Sequence, residues 1–124
     1  VIMAPIPLED RPMALTLLLR CTDLERTGAF YAALPGFTVA HSDGDTLTVT
    51  GHGARVVFTA ADLWRRAPTL TGTLYFTVAD IDAAFAQVQG RAQLAWTLQD
   101  MPYGAREFGI VDCNGYILAF QQGA

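Results

Sequence analysis

Leu17-Leu18-Leu19-Arg20-Cys21-Thr22-Asp23-Leu24 is echoed 57 residues later by Leu74-Tyr75-Phe76-Thr77-Val78-Ala79-Asp80-Ile81. Each octet is an apolar run closed by an aspartate. An aspartate at that point is a helix N-cap, because its carboxylate accepts from the free amides of the first turn. After Asp23, Leu24, Gly28, Tyr31 and Leu34 follow one helical face, and Pro35-Gly36 ends the helix. After Asp80, Ile81, Phe85 and Val88 do the same, and Gly90 ends it. The octets therefore predict a strand followed by a helix, twice.

A second echo lies further along: Gly53 to Phe58 aligns with Gly115 to Phe120 at an offset of 62. In the first half, Phe37 to His41, Thr46 to Thr50 and Arg55 to Thr59 read as strands. They are separated by turns at Asp43-Gly44-Asp45 and Gly51-His52-Gly53. In the second half the strands are Ala92 to Thr97, Ala105 to Asp112 and Tyr116 to Gln121, the last two joined by an Asn114-Gly115 turn. Both halves read strand–helix–strand–strand–strand. The expected fold is α+β, two βαβββ modules of about 13–60 and 72–122 within a single domain, 13–124. Each module is too small to fold alone, so the two share one core or pair across a dimer. Residues 1–12, with three of the six prolines, form an N-terminal arm that packs on the body or a partner, or stays flexible. Ala60 to Thr71 is either a short helical turn or a loop bridging the halves.

Composition narrows the function classes. Of 124 residues, 52% are hydrophobic and 16% charged, against roughly 25% charged in an average soluble protein. So apolar a chain is expected to bury surface in a homodimer. All eight basic residues are Arg, which excludes a P-loop lysine and a Schiff-base lysine. Net charge is −4, which argues against nucleic acid as partner. Ser42 is the only serine and has no Gly-x-Ser-x-Gly around it, which argues against a serine hydrolase. Cys21 and Cys113 stand apart and fit reduced cysteines in a cytoplasmic protein. No apolar run reaches the roughly 18 residues of a membrane span, and the opening residues lack the charged start of a signal peptide.

Two stretches carry a family resemblance over roughly residues 14–122. Asp23-Leu24-Glu25-Arg26, Phe30-Tyr31 and Gly36-Phe37 resemble the first module of the glyoxalase/bleomycin-resistance/extradiol-dioxygenase (vicinal oxygen chelate) superfamily. Pro102-Tyr103-Gly104-Ala105-Arg106-Glu107-Phe108, followed by Asp112-Cys113-Asn114-Gly115-Tyr116, resembles the end of its second module. There an aromatic-Gly-x-Arg-Glu-Phe strand precedes Asp-Pro-x-Gly-Asn. The departures are Pro35, Cys113 and Tyr116, the latter two expected to affect only a hairpin turn. The resemblance implies half-open barrels and, in metal-dependent members, ligands on the first and last strands of each module. Carried over, those positions are Thr16, Val57, Thr73 and Ala119, none a usual ligand. His41 and His52 read as surface histidines, and Glu107 as a strand-edge acid paired with backbone or Arg.

No metal, cofactor or catalytic residue is therefore expected. The resemblance to bleomycin-resistance proteins implies a ligand-stacking aromatic at Tyr75; if that strand turns the other way, Tyr75 is core. Trp96 and Tyr103 belong to the same module, Trp96 either at the pocket or at a dimer interface. Phe58 and Trp64 are further pocket candidates, Trp64 alternatively a loop cover or interface residue. Arg106 either binds an anionic group or pairs with a nearby acid. The expected function is sequestration of a small aromatic or cationic drug-like ligand, as in antibiotic resistance, the negative net charge favouring cations. The alternative is a metal-dependent lyase, isomerase or dioxygenase of the same superfamily, using His41, His52 or Glu107. A third reading makes Glu107 and Tyr103 an acid–base pair.

Overall fold

The computed structural model describes residues 15–42 and 44–123; the expected arm, 1–12, lies outside them. The first module runs β1 (Thr16–Arg20), α1 (Leu24–Ala32), β2 (Thr38–His41), β3 (Thr46–Gly51) and β4 (Ala54–Thr59). The second runs β5 (Thr73–Val78), α2 (Ile81–Val88), β6 (Gln93–Asp100), β7 (Arg106–Val111) and β8 (Ile117–Gln122). The repeat extends to the caps. Asp23 is extended and accepts from the Arg26 amide at 2.9 Å; Asp80 does the same for Ala83 at 3.1 Å. Residues 60–72 form an irregular loop, which decides between the two readings of the bridge.

The strands make two four-stranded sheets, ordered β1-β4-β3-β2 and β5-β8-β7-β6. In each, the first strand pairs parallel with the last and the other pairings are antiparallel. Thr16 faces Arg55 and Thr73 faces Ile117. Adding 57 to Thr16 gives Thr73, and adding 62 to Arg55 gives Ile117. The two sequence offsets are thus the same strand register built twice.

Strand alternation sorts each sheet into a helix-covered face and a helix-free face. Leu19, Leu47, Val49, Val56 and Phe58 are buried on the covered face of the first sheet, and Phe76, Phe108, Ile110, Leu118 and Phe120 on that of the second. Phe108 meets Phe85 of α2 at 5.2 Å and stacks on Phe120 at 5.2 Å. Each such side chain contributes about 1.5–3 kcal/mol by leaving water. The modules share this core. Phe37 lies edge-on to Phe76 at 5.2 Å, and His52 packs on Phe37 at 5.0 Å. His52 Nε2 also bonds the Pro35 carbonyl at 3.0 Å, so it is an anchored, half-buried residue and not the free surface histidine expected.

Polar contacts reinforce the joint. The Tyr31 hydroxyl donates to Asp112 Oδ2 at 2.5 Å, while Asp112 Oδ1 accepts from the amides of Asn114 and Tyr116, each at 2.8 Å. Burial pushes the Asp112 carboxyl above its ordinary range, and the bond from Tyr31 pulls it back down. Asn114 Nδ2 donates to Thr27 of α1 at 3.1 Å, and the Tyr116 hydroxyl to the Arg20 carbonyl at 2.6 Å. Tyr116 is buried against Phe58. Its departure from the family pattern therefore concerns the joint between modules, not merely a turn. Among the described residues no helix is long and apolar enough to cross a membrane.

Candidate functional site

Arg106-Glu107-Phe108-Gly109-Ile110 alternates its side chains across β7, an inner strand between β6 and β8. Phe108 and Ile110 are in the core under α2, so Glu107 and Gly109 lie on the helix-free face. Glu107 is 0% exposed there, with an acceptor-only carboxylate that needs donors if it is to stay charged. Three side chains supply them. Tyr75 Oη donates to Oε2 at 3.2 Å, Trp96 Nε1 to the same oxygen at 3.1 Å, and Tyr103 Oη makes a short bond to Oε1. That bond pushes the Tyr103 phenol above its usual range, burial adding to it, so Tyr103 remains a donor at any ordinary pH.

Each donor arrives for a local reason. Tyr75 on β5 alternates with core Phe76 and so takes the helix-free face. Trp96 gets there through a β-bulge. Leu94 pairs with Ile110, but Trp96 pairs with Gly109, so two steps on β6 match one on β7. Without that shift Trp96 would share the covered face with Leu94. Tyr103 sits in the β6–β7 turn, closed by Met101 N to Ala105 O at 2.7 Å and Gly104 N to Met101 O at 2.9 Å. Gly104 takes φ +91° there, which favours glycine, and the turn folds Tyr103 back over Glu107.

The floor between the rings is made of small residues. Tyr75 faces Ala119, Ala119 faces Gly109, and Gly109 faces Trp96, giving a row across four strands with a large residue at each end. An ideal Cβ on Gly109 would lie 2.7 Å from the indole, so only glycine lets Trp96 lie flat on the sheet. Tyr75 and Tyr103 remain 49% and 64% exposed. The aromatic layer thus seals the carboxylate while turning its own outer surface to solvent.

Of the six sequence-selected residues, the structure brings together Tyr75, Trp96 and Tyr103. Phe58 is instead core, enclosed by Tyr31 at 5.1 Å and Tyr116 at 6.3 Å, because its strand turns it toward α1. Trp64 lies in the bridge, lining a separate hollow of about 490 Å3 with Leu18, Arg20, Arg66 and Leu70. Arg106 shares the covered face with Phe108, where it pairs with Asp82 of α2 at 3.0 Å and Asp100 at 3.2 Å. The alternation that seats Glu107 at the site turns Arg106 away from it.

Glu107 itself was expected as a strand-edge acid with a backbone or Arg partner. It is instead on an inner strand, and its hydrogen bonds come from three aromatic residues. The Glu107–Tyr103 contact of the third reading is present, with the carboxylate beneath the phenols. The signal for this cluster was the aromatic-Gly-x-Arg-Glu spacing, which places a turn tyrosine four residues before the acid. The carried-over metal positions, Thr16, Val57, Thr73 and Ala119, do not fit a metal ion, since valine and alanine have no donor atom. Among the described residues no group of three or more His, Cys, Asp or Glu stands together to hold one.

Comparison with known proteins gives a consistent result. A family model described as the Glyoxalase/Bleomycin resistance protein/Dioxygenase superfamily matches residues 14–120. Among solved structures, TioX from Micromonospora sp. ML1 superposes with TM-score 0.73 at 19% identity, covering 89% of this chain and 98% of its own. A glyoxalase/bleomycin resistance protein/dioxygenase from Alicyclobacillus acidocaldarius gives 0.70 at 20% identity, covering 87% and 89%. The bleomycin resistance determinant encoded on transposon Tn5 gives 0.67 at 17% identity, covering 88% and 96%. At these identities the likeness is one of fold. No curated protein matches the chain.

Proposed function

Because this chain belongs to the Glyoxalase/Bleomycin resistance protein/Dioxygenase superfamily, we propose that it is a binding member of that superfamily, holding a small planar aromatic ligand without a metal ion. The observation that carries this reading is the convergence of Tyr75, Trp96 and Tyr103 on the helix-free face of the second sheet, over the small residues Ala119 and Gly109. Stacked or edge-on aromatic contacts contribute about 0.5–1.5 kcal/mol each beyond area burial. Their polar edges are tied to Glu107, so little ordering is left to be done when a ligand arrives.

The face is open in a single chain, and Tyr75 also borders a cleft of about 470 Å3 with Leu15, Leu17 and Arg55. A second copy of the chain would close it, and the exposed Leu15, Leu18, Leu63, Trp64 and Leu70 supply apolar surface for such pairing. We place the protein in the cytoplasm on the strength of its unpaired cysteines, Cys21 buried and Cys113 half-buried. Sequestration of a drug-like compound is the role this reading favours, and the superposed Tn5 protein is a bleomycin resistance determinant.

The test is titration with a panel of uncharged planar bicyclic and tricyclic aromatics, read by tryptophan emission and repeated with Tyr75→Ala. Saturable quenching weakened about tenfold in the variant is expected, from the loss of one stacking contact. A panel that leaves the emission unchanged refutes the pocket. Sedimentation at micromolar concentration tests the dimer; a stable monomer refutes it.

A further inference from the structure

We infer that the ligand of this site is an organic cation, with the sealed carboxylate of Glu107 as its fixed counter-charge. This deepens the aromatic-pocket reading and rests on it.

The donor inventory carries the inference. An indole N–H can only donate, so Trp96 spends its one polar atom on Glu107. Tyr75 and Tyr103 also spend their hydroxyl protons there. What these two phenols have left for a ligand is acceptor lone pairs. The ring faces add negative quadrupoles. No donor of the cluster is free, so an anionic or acceptor-rich group finds nothing to bond.

Charge points the same way. Glu107 has no arginine or histidine partner among the described residues. Arg106, its sequence neighbour, is on the opposite face and held by Asp82 and Asp100. The other groups beside the carboxylate are neutral: Gln121 of β8 and Gln99 of β6 face it directly, and Gln121 bonds Thr77 of β5 at 3.3 Å. The carboxylate is 0% exposed, so its field is poorly screened by water and acts through the aromatic layer. A cation resting on Tyr75, Tyr103 and Trp96 would meet ring faces and phenol oxygens directly and the carboxylate one layer below. This differs from the diffuse attraction of a net charge of −4, because it is local and depends on one residue.

The test uses three probes of nearly one shape and different charge, on the intact protein at pH 8: N-methylquinolinium (cation), quinoline (neutral) and quinoline-4-carboxylate (anion). Binding is read by quenching of Trp96 in a Trp64→Phe background, which leaves one tryptophan. The cation is expected to bind about tenfold or more tightly than the neutral probe, and the anion more weakly than either. In Glu107→Gln the ratio of cation to neutral affinity falls to within about twofold, whatever the variant does to the affinity for neutral quinoline itself. Equal binding of all three probes to the parent overturns the inference and leaves the aromatic pocket standing. Quenching by none of them overturns both. The parent series decides the matter even if Glu107→Gln fails to fold. If that variant folds and keeps the full cation preference, the counter-charge is not Glu107.

Discussion

Gly109→Ala tests how closely the site is built. Gly109 has no positive φ, so alanine meets no backbone strain there and the cost is purely one of space. A Cβ at that position lies 2.7, 2.8 and 2.8 Å from three indole atoms of Trp96. Ordinary contact begins near 3.4 Å, so the ring must rise by about 0.7 Å. Such a rise, perpendicular to the ring, lengthens its 3.1 Å Nε1 bond to Glu107 by only about 0.1 Å but bends it off line. The cost is therefore mainly that of overpacking, about 1–3 kcal/mol. The assay is urea unfolding in the Trp64→Phe background, with Trp96 emission recorded in the folded state. The midpoint should fall without a change in slope, and the folded emission should shift to the red. A variant within about 0.5 kcal/mol of its parent, with unchanged emission, would refute the packing of Trp96 on Gly109.

Other consequences follow from the same structure. Tyr31→Phe keeps the ring contacts but removes the bond to Asp112, costing about 1.5–3 kcal/mol at neutral pH. Asp112 is already raised in the folded state, so it binds its proton at higher pH folded than unfolded and contributes more stability as pH falls through that raised value. Losing Tyr31's downward pull raises it further, so the variant's deficit should shrink toward acid; a pH-independent deficit in thermal or denaturant unfolding counts against the assignment. Arg106→Ala removes two ion pairs to exposed carboxylates and should change stability little while leaving aromatic-probe affinity unchanged; a clear loss of affinity would put Arg106 in the site. Added Zn2+, Ni2+ or Mn2+ should leave the melting temperature where it was, since no triad of ligating residues stands together among those described; a saturable rise at micromolar metal would contradict that.

The repeat was fully legible because it is written in short-range terms. Capping needs only Asp23 and Asp80 ahead of an apolar helical face, and the offsets of 57 and 62 become the Thr16–Arg55 and Thr73–Ile117 registers unchanged. The site was half legible. Tyr75 was picked from the family resemblance and Trp96 and Tyr103 as aromatics of its module, but Phe58, a further candidate from the first module, is core, and Arg106 is turned toward α2. Strand alternation alone separates Glu107 from Arg106; which of the two faces the helix depends on packing.

Trp96 shows where local pattern stops. Its side of the sheet is set by a one-residue bulge opposite Gly109, and the bulge exists only in the pairing of β6 with β7. Glu107 is a similar case: an acid in an Arg-Glu-Phe run reads as ordinary until three donors, 4 to 32 residues distant in sequence, arrive around it. Sequence by itself determined the two βαβββ modules and their caps, since these follow from periodicity and neighbouring residues, and its motifs carried the resemblance to the family. Tertiary structure decided which side chains share a face and that an acid lies beneath the aromatics. Those depend on strand register and on burial, which bring together residues with no local claim on one another.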